Sequence, residues 1–193
     1  EAEWFRAKLT GMMLNQEFCF NSPVLFNIGV PGVPQQAAAC FIQSVQDDMD
    51  SILALQKNEV DVFKSGSGTG TDMSPLRSSR EKLSRGGYAS GPVSFMRGSD
   101  GYAGITKSGG TTRRAAKLFC LKMTHPDILT TSNGAPGFIT CKAEAEKVAH
   151  ALYSTGMYSA EFTAPVNVYD FVPYQNANNS VSVTDEYMAA VES

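Results

Sequence analysis

Residues 107–116, KSGGTTRRAA, put a lysine, a glycine pair, two threonines and two arginines into one short stretch. Adjacent glycines permit backbone shapes and close approaches that a β-carbon forbids. Threonine hydroxyls and arginine forks are donors suited to phosphate and nucleotide oxygens. A surface turn followed by a solvated basic pair would use the same residues, so the stretch alone leaves both readings open. SGSGTG at 65–70 is a second candidate, because glycine-rich backbone can offer its amides to an anion. It has neither the Gly-Lys-Ser/Thr ending of a P-loop nor the spacing of a dinucleotide fingerprint, and a plain turn explains it equally well. Asn21-Ser22-Pro23 offers an amide and a hydroxyl ahead of a rigid proline, again a turn if taken by itself. Cys40 opens the apolar run CFIQSV and reads as the first residue of a buried strand. His125 and His150 are far apart, and Cys19, Cys40, Cys120 and Cys141 contain no C-x-x-C pair. No metal site and no Ser-His-Asp triad are therefore expected.

Composition narrows the classes. At 193 residues the chain can bury one sizeable core, and 42% hydrophobic with 18% charged residues describes a soluble globular protein. A net charge of −3 argues against a nucleic-acid polymer as partner, while the basic residues between Arg77 and Arg85 and at Arg113 and Arg114 suit a small anionic ligand. No apolar run approaches the roughly 18 to 20 residues of a membrane span, and no signal-peptide pattern opens the chain. Scattered cysteines fit a reducing cytoplasm. The chain begins inside a helical apolar pattern (Phe5, Leu9, Met12, Met13) without an initiator methionine. It ends in a helix capped by Thr184 with no stop signal, so it reads as a segment of a longer protein.

The elements that must position these residues alternate. A first helix precedes proline- and glycine-punctuated pieces up to Pro34, then the strand at Cys40. A helix follows, capped by Asp47 or Asp48, with Met49, Ile52, Leu53, Val60 and Phe63 on one face. The polar stretch from Ser65 to Gly87 reads as a long functional connection. Pro92 starts the next helix, whose inner face holds Val93, Met96 and Ala103. AKLFCLKM is a strand, KAEAEKVAHALYS a helix with Ala145, Val148, Ala149 and Leu152 inward, and NSVSV a final strand. Alternation of this kind implies an α/β fold, counted as one domain.

Seven blocks then fall into a series: FNSPVLFNIGV, QQAAACFIQSVQDDMDSI, KSGSGTGTDMSPLRSSREKLSRGG, SGPVSFMRG, ITKSGGTTRRAAK, HPDI and YQNANNSVSVTDEYM. In this order, over nearly the whole chain, they closely resemble the catalytic chains of ribonucleotide reductases, and among those the adenosylcobalamin-dependent class II enzymes. The resemblance implies that residues 1–193 are the N-terminal part of a ten-stranded α/β barrel, truncated at both ends, including effector-site and specificity-loop segments. It implies reduction of a ribonucleoside di- or triphosphate to the deoxyribonucleotide by thiyl-radical chemistry, with a cysteine pair as reductant.

On the same ground Cys40 would be one member of that pair. Ser22, Ala39, Ser67 and Gly68 would contact substrate. Asp47, Met49 and Arg77 would hold a deoxynucleoside triphosphate effector, with Lys82 and Arg85 as further candidates. Lys107, Gly109, Gly110, Thr111 and Arg113 would belong to the loop that relates effector to substrate base. The implied partners are adenosylcobalamin, bound mostly outside this segment, a dithiol reductant such as thioredoxin, and a second copy packing on the helix from Pro92. Two departures stand out: TTSNGAPG at 130–137 inserts residues, and the family's Asn-x-Cys-x-Glu segment and second reducing cysteine are absent. The segment alone is expected to be inactive. The alternatives are the large subunit of a class I reductase and a non-catalytic nucleotide-binding remnant.

Overall fold

Four short strands, β1 (Cys40–Gln43), β2 (Gly68–Asp72), β3 (Lys117–Lys122) and β4 (Ala177–Ser182), run parallel and lie side by side in chain order. They come from a computed structural model that describes residues 1–33, 35–106, 116–161 and 167–193. The helices are α1 (Ala2–Leu14), α2 (Ser22–Asn27), α3 (Met49–Lys64), α4 (Gly91–Ile105), α5 (Cys141–Ser154) and α6 (Asp185–Glu192). The chain divides into two compact units, Glu1–Ala39 and Cys40–Ser193. In the first, the Asn21 side chain caps α2 by accepting from Val24 N, and Asn27 donates to the Gln36 carbonyl over 2.9 Å. The second holds the whole sheet.

Parallel strands need crossover connections, and helices supply them here. Registers Phe41↔Thr69↔Lys117↔Ala177 and Gln43↔Thr71↔Phe119 put these residues on one face of the sheet, since side chains alternate along a strand. That face is covered: Thr69, Thr71, Lys117, Phe119, Leu121 and Ala177 are buried against residues such as Ile52, Leu55, Val93 and Met96 of α3 and α4. The opposite face, with Cys40, Ile42, Leu118 and Cys120, has no such cover among the described residues. Ile42 is 97% exposed. The expected burial of Cys40 is therefore corrected for this segment: it is exposed, because β1 is one of the sheet's two edge strands here and Cys40 lies on the uncovered face.

GTGTD, expected as loop, is the inner strand β2. Its glycines and threonines mask the strand signal, yet they leave room for a charged cluster that an ordinary apolar strand would exclude. Glu59 of α3 accepts hydrogen bonds from the Thr69 and Thr71 hydroxyls, 3.3 Å each, and pairs with the Lys117 ammonium. Both charged side chains are buried, and Lys117 also sits over the Phe119 ring at 4.5 Å. Burial holds the Lys117 ammonium below its ordinary value, with Glu59 acting in the opposite sense. This cluster turns α3 away from its expected face. Ile52, Leu55, Glu59 and Phe63 point inward, whereas Met49 and Leu53 are exposed. On α5, likewise, Cys141, Ala145 and Ala149 are buried and Val148 is exposed.

Other expectations match. Val93, Met96 and Ala103 are the inner face of α4, with a proline in its first turn. Thr184 caps α6 by accepting from Tyr187 N. Gly91 begins α4 at φ +71°, where a β-carbon would lie 2.5 Å from Asp127 Oδ2. Asp127 in turn accepts from the Ser78 and Ser79 hydroxyls and from Ser79 N at 2.7–2.8 Å.

Removing one partner of a buried ion pair strands the other charge, which costs about 3–5 kcal/mol. Lys117→Met or Glu59→Gln alone is expected to destabilise by that amount in urea unfolding. The double change Glu59→Met/Lys117→Met is expected to cost less than either single change.

Candidate functional site

The first residues of all four strands meet around a cavity of about 410 Å3, lined by Cys40, Gly68, Lys117, Asn176, Ala177 and Asn178 with four neighbours. Cys40 and Gly68 are register partners across β1 and β2. Gly68 is tight: a β-carbon there would sit 2.8 Å from the Ala116 carbonyl oxygen, which already accepts from Thr69 N at 2.9 Å. Two buried carboxylates hold these strand starts from behind. Glu59 grips β2 and β3 through Thr69, Thr71 and Lys117. Asp100 of α4, 2% exposed, accepts from the backbone amides of Gln175 and Asn176 at 3.2 and 2.7 Å. Chemically the cavity offers one accessible thiol beside amide side chains and peptide groups, a setting for a small polar ligand. Burial pushes the thiols of Cys120 and Cys141 up, so neither is activated as a nucleophile.

At the other end of α3 and α4 lies a cavity of about 400 Å3 lined by Asp47, Asp48, Met49, Ile52, Arg77, Phe95 and others. Arg77 Nε donates to Asp47 Oδ2 over 2.6 Å, and Arg77 N to Oδ1 over 3.0 Å. Asp48, not Asp47, caps α3, by accepting from Ser51 N. Asp47 is thereby left to orient an arginine fork at the cavity wall. A third cavity, about 510 Å3, lies between α4 and α5 and takes part of its wall from Thr131, Ser132, Asn133, Ala135 and Pro136.

The structure thus brings Cys40 and Gly68 together in one cavity, and Asp47, Met49 and Arg77 in another. Ser67 is buried immediately before β2. Lys82 and Arg85 do not line the Asp47 cavity. Ser22 starts α2 in the first unit, and Ala39 is that unit's last residue. Lys107, Gly109, Gly110, Thr111 and Arg113 lie outside the described residues. No cluster of His, Cys, Asp or Glu that could hold a metal occurs among the described residues, and none of their helices is long and apolar enough to cross a membrane. Sequence reading missed Glu59, Asp100 and Lys117. Their signal was a charge in a core register: Glu59 with Ile52, Leu55 and Phe63, Asp100 with Val93, Met96 and Ala103, and Lys117 with Phe119 and Leu121.

A parallel sheet with helices on one face defines an α/β fold, and residues 38–193 match the ribonucleotide reductase barrel domain. The chain belongs to that family. It is 52% identical over 195 residues to a vitamin B12-dependent ribonucleotide reductase of Streptomyces clavuligerus, covering 100% of this chain and 19% of that protein. It is 47% identical over 218 residues to the protein of the same name in Rhodopirellula baltica, covering 99% of this chain and 20% of the relative. The chain therefore spans about a fifth of the length of these relatives. In fold it is similar to the class Id ribonucleotide reductase alpha subunit of Actinobacillus ureae, with a TM-score of 0.55 at 15% identity over 90% of this chain and 25% of that one.

Tyr174, just before the segment 175–178 that lines the Cys40 cavity, stands at φ +66° and donates to the Val93 carbonyl. Burial raises its phenol to about 12. The folded value lies above the unfolded one, so this contribution to stability is complete below pH 10 and is lost as pH rises through about 12. Tyrosinate absorbance is expected to show a step near pH 12 that Tyr174→Phe removes.

Proposed function

We propose that this chain is a segment of an adenosylcobalamin-dependent ribonucleotide reductase that makes deoxyribonucleotides, and that its Cys40 cavity is one wall of the active site. The observation that carries the reading is a thiol at a strand start, in register with a glycine and lining a cavity with the other strand starts, within a chain about half identical to named B12-dependent reductases. A reducing thiol must meet a sugar on one occasion and a second cysteine on another.

In this reading Cys40 is one of two thiols that become a disulfide, releasing two electrons and two protons as the ribose 2′-hydroxyl leaves as water. The second thiol lies outside this chain. Gly68, Ser67 and Ala39 shape the backbone beside the sugar, and Ser22 meets substrate oxygens. Gly68 has a definite reason to lack a side chain, since its neighbour Ala116 already fills the space. Residues 107–113, with Arg113, connect substrate base to effector.

The cavity of Asp47, Met49 and Arg77 is the effector site, where Asp47 orients Arg77 toward triphosphate oxygens and can itself accept from a sugar hydroxyl. Gly98 and Gly101 leave open surface on α4, which suits close packing of a second copy. A dithiol such as thioredoxin would reduce the Cys40 disulfide by exchange, returning both thiols and becoming a disulfide itself. Cobalamin, when bound, supplies the radical that starts the reaction. Among the described residues, none of the cavities above, about 400 to 510 Å3, is large enough to enclose a corrin with its adenosyl group. In this reading cobalamin is held mostly by parts of the protein outside this segment.

In the complete polypeptide, supplied with adenosylcobalamin and dithiol, Cys40→Ser is expected to abolish multiple-turnover deoxyribonucleotide formation, by about 1,000-fold or more. Asp47→Asn is expected to leave turnover measurable while weakening deoxynucleoside triphosphate binding by about tenfold, roughly the 1.4 kcal/mol of one charge-assisted contact. Full activity of the Cys40→Ser protein would refute the assignment.

A further inference from the structure

The two cavities are joined by the same two helices. The N-terminal turns of α3, at Met49 and Ile52, line the Asp47–Arg77 cavity; ten residues after Met49, Glu59 holds the starts of β2 and β3. At 1.5 Å per residue that is about 15 Å along the axis. In α4, Gly91 and Phe95 line the same cavity, and Asp100 holds the backbone at Gln175 and Asn176. Each helix therefore presents its first turns to one cavity and a buried carboxylate to the wall of the other. The helices are also tied midway, where Gln56 of α3 donates to the Ser99 hydroxyl of α4.

We propose that α3 and α4 form a rigid pair that relays occupancy of the Asp47–Arg77 cavity to the Cys40 cavity, with Glu59 and Asp100 as positioning residues. The proposal rests on the effector reading of the first cavity and adds a route to it. This route runs wholly through described residues and does not pass through 107–115.

The physical basis is the stiffness of packed interiors, which respond to a small shift by moving as a body rather than by deforming. A nucleotide that reorients Arg77 and Asp47 presses on the first turns of both helices. Their far carboxylates then carry the displacement into β2, β3 and the segment before β4. Salt bridges and charge-assisted hydrogen bonds make that grip directional, whereas an apolar contact could slide. Cys40 feels the shift because its register partner Gly68 abuts Ala116, which precedes Lys117.

The test uses the complete polypeptide, with dATP, dGTP, dCTP and dTTP as probes and the iodoacetamide alkylation rate of Cys40, read by peptide mass spectrometry. At least one probe is expected to change that rate by about fivefold or more, the lower end of ordinary coupling between sites. In Asp100→Asn and in the paired change Glu59→Met/Lys117→Met the same probe should bind with affinity within about twofold. The Cys40 response should fall below about 1.5-fold. A purely structural role would alter the alkylation rate with and without nucleotide alike, leaving the ratio intact. Variants that bind the probe and retain the full response would overturn the relay. Should either variant fail to fold, Gln56→Met cuts the tie between the helices and is expected to reduce the response by about half or more, an unchanged response again counting against the relay. Failure of all four probes to bind the unaltered protein would instead remove the effector reading, and the relay with it.

Discussion

The buried Glu59–Lys117 pair is the constraint on which the rest of this structure depends. An ion pair out of water loses hydration that its own attraction barely repays, so it persists only where further hydrogen bonds complete it. Here the completion comes from Thr69 and Thr71, which is why an inner strand of the sheet is GTGTD rather than a run of valine and isoleucine. One carboxylate thereby fixes the rotation of α3 and the seating of β2 against β3. It also places Gly68 beside Ala116, and with it the surroundings of Cys40. Asp100 repeats the device on α4 for the segment entering β4.

A polar interior of this sort contributes less to stability than an apolar one of equal volume, and more to position. An apolar core tolerates sliding by a fraction of an ångström; a carboxylate bonded to two hydroxyls and an ammonium does not. Positional accuracy is what a site with a reacting thiol requires, since catalytic geometry is lost over displacements of about 1 Å. The covered face of the sheet thus serves as a frame. The open face leaves Cys40 and Ile42 exposed.

How much of this was legible in the sequence depends on the kind of signal. Helices with ordinary caps and apolar stripes were readable: Pro92 ahead of Val93, Met96 and Ala103, and Thr184 ahead of α6. Strands β1, β3 and β4 announced themselves by apolar or β-branched runs. Strand β2 did not, because its buried positions are hydroxyls and glycines whose partner lies on a helix. For the same reason the face of α3 was assigned to Met49, Leu53 and Val60 instead of Leu55 and Glu59. A lone glutamate in a core register looks like noise until Lys117 and two threonines are seen to surround it. Of the candidate site, the motif order gave Cys40, Gly68, Asp47, Met49 and Arg77, which fall into two cavities. It could not give Cys40's exposure, which follows from the edge position of β1.

The central claim is that Cys40 is a reducing thiol rather than a core residue. The most direct test is the thiol state of Cys40 after a single turnover of the complete polypeptide with ribonucleotide and adenosylcobalamin, without external dithiol. Peptide mapping is expected to find Cys40 in a disulfide with a cysteine beyond Ser193, in an amount matching the deoxyribonucleotide formed. Deoxyribonucleotide formed in stoichiometric amount while Cys40 stays a free thiol would contradict the account.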